Sequence, residues 1–241
     1  MLEQMAKAAG FSLTSQQISS FERYKQLILE YNAKFNLTAI TDPDEMDIKH
    51  FIDCMHCINE IPQGASVADV GSGAGFPGMV IAVMRPDLHI TLMDALNKRV
   101  GFLTTVCREL NLENTKCIHI RAEDAAKPDC MRESFDAVVS RAVANMSTLC
   151  EYCLPLVKTG GIMLAMKGKK TNEELEQAKP LIKLLGGKTK KITQYYLPDS
   201  DISDHCLIIV EKTEKTPSKY PRKGKKIGTV QNTLKDSDKN V

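Results

Sequence analysis

Residues 66–78, SVADVGSGAGFPG, constrain the fold more than any other part of the chain. The apolar run VADV fits a buried strand and leads into a turn that begins at Gly71, and Gly73 to Gly78 have the spacing G-x-G-x-x-G. Glycines allow a ligand to approach the backbone closely, and Pro77 suits the first position of a helix. The stretch therefore predicts a strand, turn and helix that hold a nucleotide-like ligand at the carboxyl end of the strand.

Short apolar runs alternate with helical patterns through the rest of the central region. The strands predicted in this alternation are residues 67–70, 89–93, 116–120, 135–140 and 161–166. Strands separated by helices indicate a parallel sheet covered on both faces. Two further strands, 192–197 and 205–212, leave no room for a helix between them and predict an antiparallel hairpin at one sheet edge. The predicted fold class is α/β, a doubly wound, Rossmann-like sheet of seven strands with an antiparallel last strand.

Three segments are expected along the 241 residues. Residues 1–62 read as a helical segment packed on the core, whose first helix carries an apolar stripe from Ile18 to Phe35. Residues 63–212 hold the sheet, and residues 213–241 form a basic tail. The chain contains no run of about 20 apolar residues, so we expect a cytoplasmic protein with no membrane contact.

The charge of the chain is unevenly distributed. Residues 213–241 contain eight Lys+Arg and three Asp+Glu, or +5, which leaves −3 on residues 1–212 of a chain whose net charge is +2. A basic tail on a mildly acidic body favours a polyanionic partner over an acidic small molecule. Tyr220 adds a ring suited to stacking on a base.

The eight cysteines include two C-x-x-C pairs, Cys54 with Cys57 and Cys150 with Cys153. A zinc site is the alternative to consider, but the two pairs lie far outside the spacing of a zinc ribbon. Their apolar neighbours continue the i, i+3, i+4, i+7 spacing of a buried helix face. We interpret these cysteines as reduced core thiols and expect no metal.

Two cofactors fit the glycine turn. Asp94 ends the second strand, 23 residues after Gly71, where a carboxylate can accept hydrogen bonds from both ribose hydroxyls of NAD or of S-adenosylmethionine. Asp69, two residues before the first glycine, gives the D-x-G-x-G-x-G spacing of methyltransferases. The acids of RAED, residues 121–124, follow the third strand and can read an adenine edge. Together with the reversed last strand, these features favour S-adenosylmethionine.

Several motifs together resemble the bacterial small-subunit ribosomal RNA methyltransferase G family, also called the glucose-inhibited division protein B family. The motifs that carry the resemblance are YNAKFNLTAI (31–40), HFIDC (50–54), GSGAGFPG (71–78), LMDALNKR (92–99), HIRAED (119–124), SRAVAN (140–145), MKG (166–168) and KYPRK (219–223). The resemblance implies methyl transfer to N7 of one guanine in 16S ribosomal RNA, either naked or in a small-subunit particle. We expect a monomer.

The candidate site residues fall into three groups. The cofactor-binding candidates, several of them implied by the resemblance, are Asp69, Gly71, Gly73, Gly75, Phe76, Asp94, Ala122, Glu123 and Arg141. The catalytic candidates are Arg141, which the resemblance places near the methionine part of the cofactor or the reacting base, and His50 and Asp53, which share a helix face that we expect to cap the site. The RNA-binding candidates are Lys98, Arg99, Lys167, Tyr220, Arg222 and Lys223.

The end of the fourth strand reads SRAVA, without the N-P-P-Y type turn of amino-methylating enzymes or a nucleophilic cysteine. The absence of both features fits methylation of guanine N7, because N7 attacks with a lone pair and has no proton that a base must remove. A cofactor-free RNA-binding module and a small-molecule methyltransferase are the alternatives. The intact glycine turn with Asp94 argues against the first, and the basic tail argues against the second.

Overall fold

The computed structural model describes residues 1–168, 171–198, 205–224 and 227–229. Its sheet has seven strands in the order β3-β2-β1-β4-β5-β7-β6. The strands are β1 (Ser66–Val70), β2 (His89–Asp94), β3 (Thr115–His119), β4 (Phe135–Arg141), β5 (Val157–Lys167), β6 (Gly187–Tyr195) and β7 (His205–Lys212). Strands β1 to β5 pair in parallel, and β7 is antiparallel to both β5 and β6. The predicted seven-stranded sheet with a reversed last strand is therefore confirmed.

Two strands are longer than the sequence pattern predicts. Strand β5 begins at Val157, four residues before the predicted start at 161, because Gly160 and Gly161 interrupt its apolar pattern. Strand β6 begins at Gly187, five residues before the predicted start at 192. Its first half, GKTKK, is largely exposed at the sheet edge, and lysines on an edge strand hide the alternation of a half-buried strand.

Helices cover both faces of the sheet. They are α1 (Leu2–Ala8), α2 (Ser15–Phe35), α3 (Pro43–Met46), α4 (Asp53–Met55), α5 (Gly78–Met84), α6 (Asn97–Glu109), α7 (Ala122–Ala125), α8 (Met146–Cys153) and α9 (Thr171–Leu184). One apolar core joins α1 to α6 to the first face, and a second core joins α7, α8 and α9 to the other. None of the helices in the described ranges is long and apolar enough to cross a membrane.

The stretch from Pro43 to Glu60 is not one regular α-helix. A π-helical segment, Asp47–Ile52, joins α3 to α4, and a 3₁₀ turn at Ile58–Glu60 follows. The π segment is fixed to α2 by a buried ion pair in which Lys25 Nζ lies 2.6 Å from Asp47 Oδ1. This irregular stretch carries His50 and Asp53 to the carboxyl edge of the sheet.

The described part of the basic tail is docked against the rest of the protein. We call residues 213–224 the C-terminal strap. Arg132 donates hydrogen bonds to the carbonyl oxygens of Thr216 and Tyr220, and the Tyr220 side chain is only 2% exposed. Arg222 donates to the buried carboxylate of Glu151 on α8. A buried ring and a paired guanidinium hold the strap against the second core.

Candidate active site

The glycine turn lies between β1 and α5 at the carboxyl edge of the sheet. The backbone N–H groups of Gly71 and Ser72 donate to the carbonyl oxygen of Met93 at the end of β2, at 2.9 and 3.0 Å. Gly73 has φ +61°, and a Cβ built on it meets nothing closer than 3.9 Å. The turn is therefore held to the neighbouring strand while its middle faces open space.

Asp69 joins the two ends of this turn. Its Oδ2 accepts from the backbone N–H of Gly78 at 2.9 Å, at the first residue of α5. A Cβ at Gly78 would lie 2.7 Å from the Asp69 Cβ, so glycine is required for this close approach. Burial raises the pKa of Asp69 to about 7. Asp69 orients the turn from beneath and is not among the residues that line the cavity.

Asp94 ends β2 beside the same turn. One carboxylate oxygen accepts from the backbone N–H of Gly73 at 2.9 Å, and the other accepts from that of Leu96 at 2.8 Å. Arg99 lies 3.5 Å from this carboxylate. Each carboxylate oxygen has a second lone pair, so Asp94 can still accept from hydroxyl donors in the cavity.

Arg141 ends β4 and brings the three catalytic candidates together. Its Nη1 donates to Asp53 Oδ2 at 2.8 Å, and its Nη2 lies 3.0 Å from His50 Nδ1. The guanidinium lies 4.9 Å from the centre of the Phe76 ring, on which the His50 ring also packs at 4.3 Å. We call His50, Asp53, Phe76 and Arg141 the arginine cluster.

Two members of the site were missed by the sequence reasoning. Tyr195, at the end of β6, donates its hydroxyl to Asp53 Oδ1 at 2.7 Å, and His205 Nδ1, at the start of β7, lies 3.2 Å from the same oxygen. Burial acts to raise the pKa of Asp53, but the hydrogen bond from His205 and the charge of Arg141 lower it on balance. The predicted hairpin could have placed Tyr195 and His205 together, because pairing of its two strands brings these residues opposite each other.

The ionisation of His50 follows from its position. Burial, reinforced by the charge of Arg141, lowers the pKa of His50 to about 4. The ring is therefore neutral near pH 7. Its Nε2 lies 2.8 Å from Thr38 Oγ1, so both ring nitrogens have partners.

The turn and the arginine cluster line one cavity of about 1380 Å³. Its wall also includes the loop that follows α2, with Leu37, Thr38 and Ile40, and the end of β6, with Tyr195. This volume exceeds the range of roughly 300–1,000 Å³ common for single small ligands. The cavity has room for a cofactor and for part of a second molecule.

The other cofactor candidates, Gly75, Ala122 and Glu123, do not line the cavity. Gly75 packs inside the protein, where a Cβ would meet the Tyr24 hydroxyl and would lie 3.0 Å from Leu103. Ala122 and Glu123 begin α7 after β3 and are not among the residues that line the cavity. Their assignment to the adenine stays a prediction.

The RNA-binding candidates separate into exposed and engaged cations. Lys98 and Lys223 are exposed, and Arg99 lines the cavity. Lys167 is engaged, because its ammonium lies 2.6 Å from Glu174 and donates to the carbonyl oxygen of Ala144. A phosphate contact by Lys167 would require this ion pair to open, and its assignment to RNA stays a prediction.

The strap candidates Tyr220 and Arg222 are also engaged within the protein. The Tyr220 ring is buried and so is not positioned to stack on a base, and the Arg222 guanidinium lies 2.7 Å from Glu151 Oε2. Lys169 and Lys170, which follow Lys167 closely in the sequence, lie outside the described residues, as do Lys225 and Lys226. The described residues contain no group of three or more His, Cys, Asp or Glu side chains that could hold a metal ion.

Comparison with known proteins supports the resemblance. The family model described as rRNA small subunit methyltransferase G matches residues 17–202. Ribosomal RNA small subunit methyltransferase G of Clostridium tetani (strain Massachusetts / E88) is 45% identical over 225 residues, which cover 92% of this chain and 94% of that protein. The protein of the same name from Desulforamulus reducens is 47% identical and covers 92% of this chain and 93% of its own length.

Solved structures share the fold at low sequence identity. A putative S-adenosyl-L-methionine-dependent methyltransferase from Methanococcus maripaludis has a TM-score of 0.55 at 14% identity, over 79% of this chain and 93% of that chain. A SAM-dependent methyltransferase from Aquifex aeolicus has a TM-score of 0.53 at 16% identity, over 70% of this chain and 92% of that chain. These likenesses show the methyltransferase fold.

Proposed function

The chain belongs to the rRNA small subunit methyltransferase G family, and on that premise we propose that it transfers a methyl group from S-adenosylmethionine to N7 of a specific guanine in 16S ribosomal RNA. One observation carries the proposal. The glycine turn and the arginine cluster share a cavity, and each carboxylate oxygen and ring nitrogen of that cluster already has a hydrogen-bond partner among the described residues.

The residues at the turn fit S-adenosylmethionine. Gly73 leaves open space where a side chain would project, and Asp94 retains lone pairs for ribose hydroxyls. Gly71, Gly73 and Phe76 would hold the cofactor along the turn, with Asp94 at the ribose. When bound, S-adenosylmethionine supplies an electrophilic methyl group on its sulfonium.

The engaged state of the arginine cluster favours N7 over acceptors that carry a proton. Asp53 accepts from Arg141, Tyr195 and His205, and both nitrogens of His50 have partners. Methylation of an amino or hydroxyl group is helped by a base that takes the departing proton. Guanine N7 has a lone pair and no proton, so this cluster has only to position the base.

The charge of the arginine cluster also suits N7. Arg141 and Asp53 together carry no net charge, and His50 is neutral. A guanine methylated at N7 gains a positive charge. A cluster without net positive charge therefore avoids repelling the product as it forms.

We propose that cations at the carboxyl edge of the sheet and on the strap contact the RNA phosphates. Lys98 and Arg99 follow β2 at the carboxyl edge, and Lys223 is exposed on the strap. Such contacts position a nucleic acid without reading its sequence. The substrate, naked 16S RNA or a small-subunit particle, would meet the protein as a monomer in the cytoplasm.

The proposal is tested by mapping N7-methylguanine in 16S RNA. RNA from a strain that lacks the gene should miss one N7-methylguanine, and purified protein with S-adenosylmethionine should restore it. Free 16S RNA and small-subunit particles from the same strain are compared as substrates. A deletion that leaves every N7-methylguanine of 16S RNA in place would refute the proposal.

A further inference from the structure

Thr38 lies in the loop between α2 and α3, within the motif YNAKFNLTAI, and lines the cavity. The loop is anchored, since the backbone N–H of Thr38 donates to Asn32 Oδ1 at 2.9 Å. The Thr38 hydroxyl oxygen lies 2.8 Å from His50 Nε2 and accepts from the backbone N–H of Ile40 at 3.1 Å. These contacts hold the hydroxyl at one place on the cavity wall.

Arg141 determines which nitrogen of His50 carries the proton. A guanidinium can only donate hydrogen bonds, so the His50 Nδ1 that lies 3.0 Å from Arg141 Nη2 must accept. The carbonyl oxygen of Lys49 lies 3.1 Å from Nδ1 and accepts from Arg141 Nη1 at 2.9 Å, so it does not depend on His50 for a donor. A neutral imidazole that accepts at Nδ1 carries its proton on Nε2. His50 therefore donates to Thr38.

With His50 as the donor, the Thr38 hydroxyl keeps a proton to donate but has no lone pair left to accept a further hydrogen bond. A hydroxyl oxygen has two lone pairs, and those of Thr38 are taken by His50 Nε2–H and Ile40 N–H. Throughout the described ranges, no protein acceptor lies within hydrogen-bond distance of the Thr38 hydroxyl. Its proton can therefore serve only an acceptor that enters the cavity.

Thr38 and the glycine turn line the same cavity, and His50, which contacts Thr38, packs on Phe76. On guanine, N7 and O6 are adjacent acceptors on the same edge of the base, whereas adenine presents an N6 donor beside N7. A hydroxyl limited to donation therefore matches guanine and opposes adenine.

We propose that the Thr38 hydroxyl donates a hydrogen bond to O6 of the target guanine and thereby selects guanine while N7 is methylated. The inference rests on the proposed function. Arg141 and His50 act in it as positioning residues, because they fix the direction in which Thr38 donates. Thr38 itself contacts the substrate.

The test measures kcat/KM for wild type and Thr38→Val on two substrates. One carries the normal target guanosine, and the other carries 6-thioguanosine at that position, which keeps N7 but replaces O6 with a weaker acceptor. Each is supplied as free 16S RNA or as a small-subunit particle, whichever the wild type methylates. Thr38→Ser keeps the hydroxyl, and Thr105→Val makes the same chemical change at a half-buried position of α6 that does not line the cavity.

On normal substrate, Thr38→Val should lose roughly 10- to 100-fold in kcat/KM, and Thr38→Ser and Thr105→Val should stay near wild type. On 6-thioguanosine substrate, the wild type should be slowed and the further loss from Thr38→Val should be small, because both changes remove one hydrogen bond. Calorimetry should show unchanged S-adenosylmethionine affinity. Thr38→Ala replaces Thr38→Val if the valine variant does not fold.

An equal loss from Thr38→Val on both substrates would overturn the inference, since Thr38 would then act without touching O6. Normal activity of Thr38→Val would overturn it as well. Failure of the wild type to methylate normal substrate would instead count against the proposed function. The two failures are therefore distinguishable.

Discussion

Replacing Tyr220 with alanine tests whether the strap is part of the fold. The side chain is 2% exposed within the second apolar core, and truncating a buried aromatic ring to alanine costs about 3–5 kcal/mol in other proteins. The strap can detach while the sheet remains folded, which caps the cost at the free energy of docking. We therefore expect a loss near the lower limit, about 3 kcal/mol.

The expected loss is large enough to measure by thermal denaturation. In a chain of this size, 1 kcal/mol corresponds to about 2–4 °C, so Tyr220→Ala should lower the melting temperature by roughly 6–12 °C. Tyr196→Ala is the matched control, because Tyr196 is 61% exposed and the chemical change is identical. Its melting temperature should change by no more than about 2 °C.

RNA binding separates docking from base stacking. Tyr220→Ala removes no charge, so the slope of log K against log salt should be unchanged. A melting temperature equal to that of the Tyr196→Ala control, together with a large loss of RNA affinity, would refute the docked strap. Tyr220 would then act on the RNA, as the sequence alone suggested.

Three further predictions concern the active site. Gly73→Val should abolish S-adenosylmethionine binding in calorimetry and lower the stability by only about 1–2 kcal/mol, whereas Gly78→Val should unfold the turn. Arg141→Ala should abolish methylation and also destabilise by about 3–5 kcal/mol in urea, because Asp53 stays buried without its cation. His50 should titrate near pH 4 by NMR. Between about pH 6.5 and 4 only the unfolded chain binds this proton, so the free energy of unfolding should decrease as the pH falls through that range. A midpoint near pH 6.5 would contradict this prediction.

The sheet was predictable because its signals are local. Each of the inner strands is a short apolar run, and the alternation with helices implies parallel pairing. The glycine turn and Asp94 were predictable for the same reason, since both lie at the ends of recognisable strands. His50 and Asp53 were placed together from their spacing, although His50 lies in the π-helical segment and Asp53 begins α4.

Tyr195 and His205 could not be found in this way. Each takes part in the site through Asp53, more than 140 residues away in sequence, and a single tyrosine or histidine at a strand end carries no local signal. Glu151 was missed for a similar reason. It is fully buried on α8, and only the fold shows that Arg222 reaches it.

The charge count of the tail was correct but incomplete, because composition does not separate docked from exposed side chains. Within the strap, each docked residue is next to an exposed lysine: the docked residues are Thr216, Tyr220 and Arg222, and the lysines are Lys215, Lys219 and Lys223. Docking the first set fixes the backbone that carries the second. Lysines on an ordered backbone lose less conformational entropy on meeting phosphates than lysines on a mobile arm. Docking of the strap and RNA binding by its lysines are therefore compatible, and the first favours the second.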